Sequence, residues 1–335
     1  MWGLGGIDCE STNDVIRLVT YERIAERGFE LMKPIDCCLF VCLVVLCAAP
    51  AGAAEVTANP ARSVVAASGS TDRSYLAMGK QYQDAGNYRR ALVCFQREIV
   101  AATDGNVLAE SYVREAECLF RLDRLEKALA AAKSVAGIQD RHQSFLKKRG
   151  EWILQAAPWE ARVLMRRNLY AEAVKACDEA LAQALGANMG QTATTRIMKA
   201  NALVLSGKVE EAVGVARAMR AEDTSQGTII VADVLEGDLY HQADRYPEAI
   251  EVYLRLIGEC ANSKERSAYA RFELALCYHD IGDHAKARAY LNEVITDYAS
   301  TSWKSVVERH LNDWYPDQAT ESGQHAKTAV GSSGR

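Results

Sequence analysis

The hydrophobic and polar positions of Ser74–Ile99 follow the period of two amphipathic helices joined by a tight turn. The segment reads SYLAMGKQYQDAGNYRRALVCFQREI, and its apolar residues recur three and four positions apart on both sides of Gly86 and Asn87. Glycine can adopt the left-handed conformation that ends a helix, and asparagine can cap the next helix. Because Gly79 and Ala91 are small, the two helices can approach closely. We therefore predict a helical hairpin here.

The same pattern returns five more times along the chain. Ala91 serves as a register mark, and its equivalents follow at spacings of 37, 45, 39, 37 and 38 residues: Ala128, Ala173, Ala212, Ala249 and Ala287. A small residue stands twelve positions before each mark, and a large apolar or aromatic residue stands nine positions before it. Residues that tolerate a turn stand five positions before each mark: Gly86, Asp123, Asn168, Gly207, Asp244 and Gly282. Repetition in so many columns indicates stacked units.

Two places depart from the repeating pattern. The third repeat arrives late, after the polar stretch Gln139–Arg149, and Pro158 falls where its first helix should run. Proline is tolerated in a first turn but kinks a helix interior, so the sequence leaves the geometry of this repeat open. After the last repeat, Ser302 can cap a further helix that carries Trp303. We expect this helix to cover the exposed end of the stack.

The order of small, large, turn, large, small and large residues resembles the tetratricopeptide repeat, whose period is about 34 residues. Each unit here has a few extra residues, which we expect to lengthen helices or loops. The resemblance implies an all-α fold: an α-solenoid of about six helix–turn–helix repeats over residues 72–313, with a C-terminal capping helix. The sequence here, with a helix that ends at Asp297-Tyr298 and another that starts near Ser302-Trp303, also loosely resembles periplasmic members of the family. Examples are the Tol–Pal coordinator and the small lipoprotein of the outer-membrane barrel-assembly machine.

The ends of the chain differ in composition from the repeats. We interpret 1–31 as an upstream extension of the reading frame that is not native, and 32–54 as a secretory signal peptide in which the apolar run Cys37–Cys47 precedes Ala51-Gly52-Ala53. Residues 55–71 then form a linker and 314–335 a disordered tail. We expect export to the periplasm or the extracellular space. The alternative is an uncleaved membrane anchor at 37–54, although its dense apolar part is shorter than the roughly 20 residues of a spanning helix.

Composition and charge limit the classes of function. The chain has 335 residues, of which 49% are hydrophobic and 25% are charged, as is usual for soluble globular proteins. Its formal net charge of −5 provides no electrostatic case for nucleic-acid binding. The sequence contains no HExxH motif, no glycine-rich phosphate loop and no Ser-His-Asp order. We therefore expect no enzyme activity and no cofactor.

Histidines and cysteines are the remaining candidates for chemistry. His241 and His279 occupy the same column in successive repeats, where stacking could bring them together around a metal. Solvated groove residues are the commoner outcome, so we predict no metal site. Five cysteines follow the signal segment: Cys94, Cys118, Cys177, Cys260 and Cys277. Structural thiols fit these positions best, and a Cys260–Cys277 disulfide stays open as the alternative.

The candidate binding surface comes from the resemblance, because first helices line the concave face in the family. Two columns, eight and fifteen positions before the register mark, are largely apolar, and three arginines lie beside them. The predicted groove consists of Leu76, Val113, Phe120, Arg121, Arg162, Met165, Arg166, Ile197, Val204, Val234, His241, Phe272 and His279. An apolar ridge in an open groove favours a bound peptide or helix. The alternative is that these residues only pack between neighbouring first helices.

The sequence thus predicts a non-catalytic scaffold or adaptor in the bacterial cell envelope that binds a protein or peptide partner in this groove. We expect no nucleic-acid partner, and membrane association only through an uncleaved N-terminal segment. The alternative function is an accessory subunit of an envelope enzyme or transport system that handles sugar or lipid.

Overall fold

A computed structural model describes residues 74–184 and 186–316, and the predictions for 1–73 and for the tail beyond 316 lie outside these residues. The described part contains thirteen α-helices and no strand. The helices are α1 Tyr75–Asp84, α2 Tyr88–Ala101, α3 Gly105–Arg121, α4 Leu125–Ala136, α5 Gln143–Arg166, α6 Tyr170–Gln183, α7 Met189–Leu205, α8 Val209–Glu222, α9 Gln226–Gln242, α10 Tyr246–Glu259, α11 Lys264–Ile281, α12 His284–Asp297 and α13 Trp303–Trp314. Helices α1 to α12 form six successive pairs, which we number as repeats 1 to 6. The predicted all-α solenoid is confirmed.

The close contact within each pair depends on the predicted small residues. The six register alanines are all 0% exposed: Ala91, Ala128, Ala173, Ala212, Ala249 and Ala287. At Gly237, an added Cβ would lie only 2.6 Å from the ring of Tyr253 on the paired helix. At Gly79, an added Cβ would collide with the ring of Phe95. In repeats 1 and 5, a glycine of the first helix therefore packs against an aromatic ring of the second helix.

All six predicted turn residues adopt the left-handed conformation, with φ between 56° and 90°. Three of them are not glycine: Asp123, Asn168 and Asp244. Aspartate and asparagine tolerate this region better than other residues with a side chain. Two of them also bind the next helix, because the Tyr170 hydroxyl donates to Asn168 at 2.7 Å and the Tyr246 hydroxyl donates to Asp244 at 2.7 Å. The turn column thus fixes where each first helix ends.

The insertion in repeat 3 lengthens its first helix. Helix α5 has 24 residues, whereas the first helices of repeats 2, 4, 5 and 6 have 17 or 18. Most of the polar stretch Gln139–Arg149 forms the first turns of α5, and Phe145 in these turns is buried beside Gly105 at the start of α3. The added turns are therefore part of the folded stack.

Pro158 lies inside α5 and the helix continues past it. Proline has no amide hydrogen, so it cannot donate to the carbonyl of Leu154 four residues earlier. The Thr195 hydroxyl of α7 donates to that carbonyl at 3.1 Å, and Thr195 is fully buried. A side chain of repeat 4 thus supplies the hydrogen bond that repeat 3 lacks.

The capping helix is also confirmed. Helix α13 packs on α11 and α12, its Val307 is 0% exposed, and the ring of Trp303 lies 5.4 Å from that of Phe272. Among the described helices, none is both long enough and apolar enough to cross a membrane.

A buried ion-pair network joins repeats 4 and 5. The side chain of Asp233 on α9 is 0% exposed and is contacted by Arg220 of α8 and, at 2.9 Å, by Arg255 of α10. Arg255 also contacts Glu236 at 2.8 Å. The first helix of repeat 5 is therefore held between the second helices of two repeats.

Candidate interaction surface

The structure divides the thirteen predicted groove residues by exposure. Eight of them are buried: Leu76, Val113, Arg162, Ile197, Val204, Val234, His241 and Phe272. Three are half-buried, namely Phe120, Met165 and His279, and two are exposed, namely Arg121 and Arg166. The expectation that the apolar column faces solvent is therefore wrong for its buried members. Whether a partner reaches this face stays a prediction.

Neighbouring first helices and the capping helix account for this burial. Val113 on α3 shares a core cluster with Phe145, Ile153 and Leu154 of α5. Phe272 on α11 contacts α13, where the ring of His310 lies 5.1 Å from it. Consecutive first helices thus cover most of the apolar column, as the packing alternative anticipated.

The two histidines of the shared column do not form a common site. His241 is 0% exposed, and its Nε2 lies 2.8 Å from Asp280 on the next first helix. His279 instead stacks on Trp314 of α13, with ring centroids 3.8 Å apart. Across residues 74–184 and 186–316, no group of three or more His, Cys, Asp or Glu side chains is placed to hold a metal ion.

Four of the five predicted residues that reach solvent lie on α3 and α5. The ring of Phe120 lies 5.9 Å from that of Trp159, and the guanidinium of Arg166 lies 5.5 Å above the Phe120 ring. The guanidinium of Arg162 lies 4.6 Å above the Trp159 ring. Cations over aromatic faces are held by the ring quadrupole, so the rings and guanidinium groups fix each other. These four side chains, together with Arg121, form what we call the arginine–aromatic face.

A carboxylate lies among the arginines of this face. Glu117, one turn before Arg121, accepts a hydrogen bond from Gln83 of α1 at 2.6 Å. Burial raises the pKa of Glu117, although Arg121, Arg114 and Arg162 act to lower it. Arg114 in turn contacts Glu110 at 3.1 Å. The face therefore has one internal carboxylate whose charge burial disfavours.

The sequence interpretation missed Trp159, Glu117 and Arg114. The missed signal is helical spacing among polar residues. Charged residues recur every three or four positions along α3 at Glu110, Arg114, Glu117 and Arg121. Trp159, Arg162 and Arg166 follow the same spacing on α5. Because the register columns selected apolar positions, the remaining members of these stripes, Glu110, Arg114, Glu117 and Trp159, did not enter the predicted groove.

Burial makes Cys118, Cys177 and Cys260 poorly reactive. All five described cysteines are buried and none is in a disulfide, so Cys260 and Cys277 are not bonded to each other in this structure. Burial raises the pKa of Cys118 and of Cys177 to about 12 and that of Cys260 to about 11. A thiol with so high a pKa stays protonated at neutral pH and is a poor nucleophile.

Comparison with known proteins concerns the fold. Residues 269–301 match the family described as tetratricopeptide repeat. A tetratricopeptide repeat sensor protein of the signal transduction ATPase class from Pyrococcus horikoshii is 14% identical, with a TM-score of 0.51 over 76% of this chain and 41% of that chain. A tetratricopeptide repeat protein from Parabacteroides merdae is 13% identical, with a TM-score of 0.48 over 67% of this chain and 80% of that chain. PilW, a type IV pilus biogenesis factor, is 14% identical, with a TM-score of 0.48 over 75% of this chain and 99% of that chain.

No curated protein matches the sequence. The family match runs from Tyr269 in α11 to Thr301 after α12, and so covers most of repeat 6. The other five helix pairs share its register of small residues and left-handed turns. The chain therefore carries a tetratricopeptide repeat at residues 269–301 and has the fold of a tetratricopeptide-repeat solenoid.

Proposed function

We propose that this protein is a non-catalytic scaffold that binds a protein partner on the surface formed by its first helices. The observation that carries the proposal is the arginine–aromatic face, where large rings and exposed guanidinium groups lie on two adjacent first helices. Aromatic and arginine side chains are the residue types that most often dominate the energy of protein interfaces. Stacked repeats present such side chains on a continuous surface.

The partner segment is expected to contact Phe120 and Met165, the half-buried residues of the predicted groove on α3 and α5. Replacing both with alanine should weaken binding by more than about 2 kcal/mol, as loss of interface anchors usually does. The matched control is Val93→Ala with Leu254→Ala, which truncates exposed apolar residues on the second helices α2 and α10. Isothermal titration with the captured native partner measures both pairs.

To capture that partner, a photo-crosslinking residue is placed at Met165 in one variant and at Leu254 in the other. The proposal expects a specific crosslinked protein from position 165 and none from position 254. Equal crosslinking at both positions would assign the contact to another surface, and normal binding by the double alanine variant would do the same.

The proposed place of action is the cell envelope, reached through the segment 32–54. The support is the apolar run followed by small residues. Mass spectrometry of the protein from its native host should find a mature N-terminus at Ala54 or Glu55. A peptide from 1–31 in the mature protein would contradict this.

A further inference from the structure

The arginine–aromatic face carries more positive charge than its surroundings neutralise. Arg121 and Arg166 are exposed and form no ion pair within residues 74–184 and 186–316. By contrast, Arg220, Arg245 and Arg255 each contact two carboxylates. The arginine–aromatic face therefore holds two exposed arginines without an ion pair among the described residues, in a chain whose net charge is −5.

Glu117 can balance only part of this charge. Arg121, Arg114 and Arg162 all act to lower its pKa, so this single carboxylate is shared among three arginines. Its Oε2 is already engaged by Gln83 at 2.6 Å. The exposed ends of Arg121 and Arg166 are thus left for groups outside the chain.

The other end of the solenoid has the opposite character. The first helices α9 and α11 carry Asp238, Glu273 and Asp280. Asp238 and Glu273 are 1% exposed, and Asp238 accepts hydrogen bonds from Tyr253 and Tyr269. Exposed arginines and half-buried aromatic rings therefore lie together on the first helices of repeats 2 and 3.

We propose that the arginine–aromatic face binds an acidic partner segment that also carries apolar side chains. The inference rests on the proposed function and specifies the chemistry of the partner. Guanidinium groups bind carboxylates with two parallel hydrogen bonds, which gives geometric selectivity. Phe120 and Trp159, which are half-buried, supply the surface against which the apolar side chains pack. The positive charge of this face attracts an acidic segment and speeds its association.

The test uses three probes with the full chain. They are a fluorescein-labelled peptide in which Glu alternates with Leu, the same peptide with Gln in place of Glu, and labelled oligothymidylate. Fluorescence anisotropy at low and moderate salt measures the affinities. We expect the Glu peptide to bind at least about tenfold more tightly than the Gln peptide, and its affinity to fall with salt.

Charge variants then place the binding on this face. Arg121→Glu with Arg166→Glu should weaken binding of the Glu peptide by about tenfold or more, and Arg121→Lys with Arg166→Lys should retain most of its salt dependence. Glu117→Gln should tighten binding, because it removes the competing carboxylate. The matched control is Arg89→Glu with Arg97→Glu, which makes the same change in charge on exposed residues of α2. This control should shift the affinity by less than about twofold.

Three outcomes would overturn the inference: equal weakening by the control pair, equal affinity for the Glu and Gln peptides, or tighter binding of oligothymidylate than of the Glu peptide. The last outcome would assign the face to nucleic acid. If photo-crosslinking at position 165 captures a partner whose binding the Arg121 and Arg166 reversal leaves unchanged, the proposed function stands and this inference fails. If position 165 captures no partner and the Glu peptide does not bind, the proposed function and this inference both fail. An unchanged urea midpoint for each variant shows that the fold is intact.

Discussion

Pro158 and Thr195 show how one residue can depend on another in the next repeat. Proline in a helix interior normally leaves a carbonyl without its donor, and here the Thr195 hydroxyl donates to the Leu154 carbonyl at 3.1 Å. Both groups are buried. The pairing explains why a proline is compatible with an uninterrupted 24-residue helix.

We expect Thr195→Val to reduce the free energy of unfolding by about 1–3 kcal/mol, since a buried carbonyl is left without a partner. In a Pro158→Ala background the amide of residue 158 can donate to Leu154, so the same threonine change should cost less. Urea unfolding of the four proteins of this double-mutant cycle measures the difference. An identical cost in both backgrounds would show that the threonine acts through packing alone.

At the scale of the element, the capping helix α13 depends on histidines that are held neutral. Burial lowers the pKa of His279 and of His310. Nearby charges act in both directions. For His279, Asp280 raises the pKa and His284 lowers it. For His310, Asp313 and Glu273 raise the pKa, and Arg309 and His279 lower it. The Tyr315 hydroxyl also lies 3.1 Å from His279.

Because the pKa of both histidines is lower in the folded state, the unfolded chain binds more protons below its own histidine pKa of about 6.5. The free energy of unfolding should therefore fall as the pH drops from about 7.5 to about 5.5, the range in which histidine changes charge. The variant His279→Gln with His310→Gln should show a smaller fall. Urea unfolding at both pH values measures this, and the carboxyl groups titrate in both proteins, so the difference isolates the histidines. An equal fall would assign the pH dependence elsewhere.

The elements could be predicted from sequence to a large extent, whereas the surface could not. Ala91 and Gly86 show why the helices were predictable: a small residue at a close contact and a left-handed turn are local requirements that leave a local signal. The burial of Phe272 depends on where α13 docks, and the Thr195–Leu154 bond depends on the contact between two repeats. Such facts are set by the angle between elements, which no periodicity records.

At the scale of the whole molecule, repeats 4 and 5 are coupled by charge. Asp233 is fully buried between two arginines that are each about a third exposed, with side-chain exposures of 33% and 39%. In a solenoid each repeat contacts only its neighbours, so such a link contributes directly to how the stack unfolds as one unit.

We expect Asp233→Asn to reduce the free energy of unfolding by about 3 kcal/mol, the lower end for a buried pair that loses one partner, because both arginines can still reach water. The matched control is Asp178→Asn, which removes a 2.7 Å contact with Lys199 between repeats 3 and 4 at a position that is 51% exposed. That change should cost less than about 1 kcal/mol. Urea unfolding followed by circular dichroism measures both. A similar cost for the two variants would mean that burial of Asp233 adds nothing to the coupling.

The five buried thiols of the described residues can report how often each part of the stack opens locally. Cys94, Cys118, Cys177, Cys260 and Cys277 lie in repeats 1, 2, 3, 5 and 6. A thiol reagent in excess can modify each of them only when its helix pair opens, so the five labelling rates report five separate opening equilibria. Comparing those rates would show whether opening begins at an end of the array or in the middle, without adding a probe to the chain.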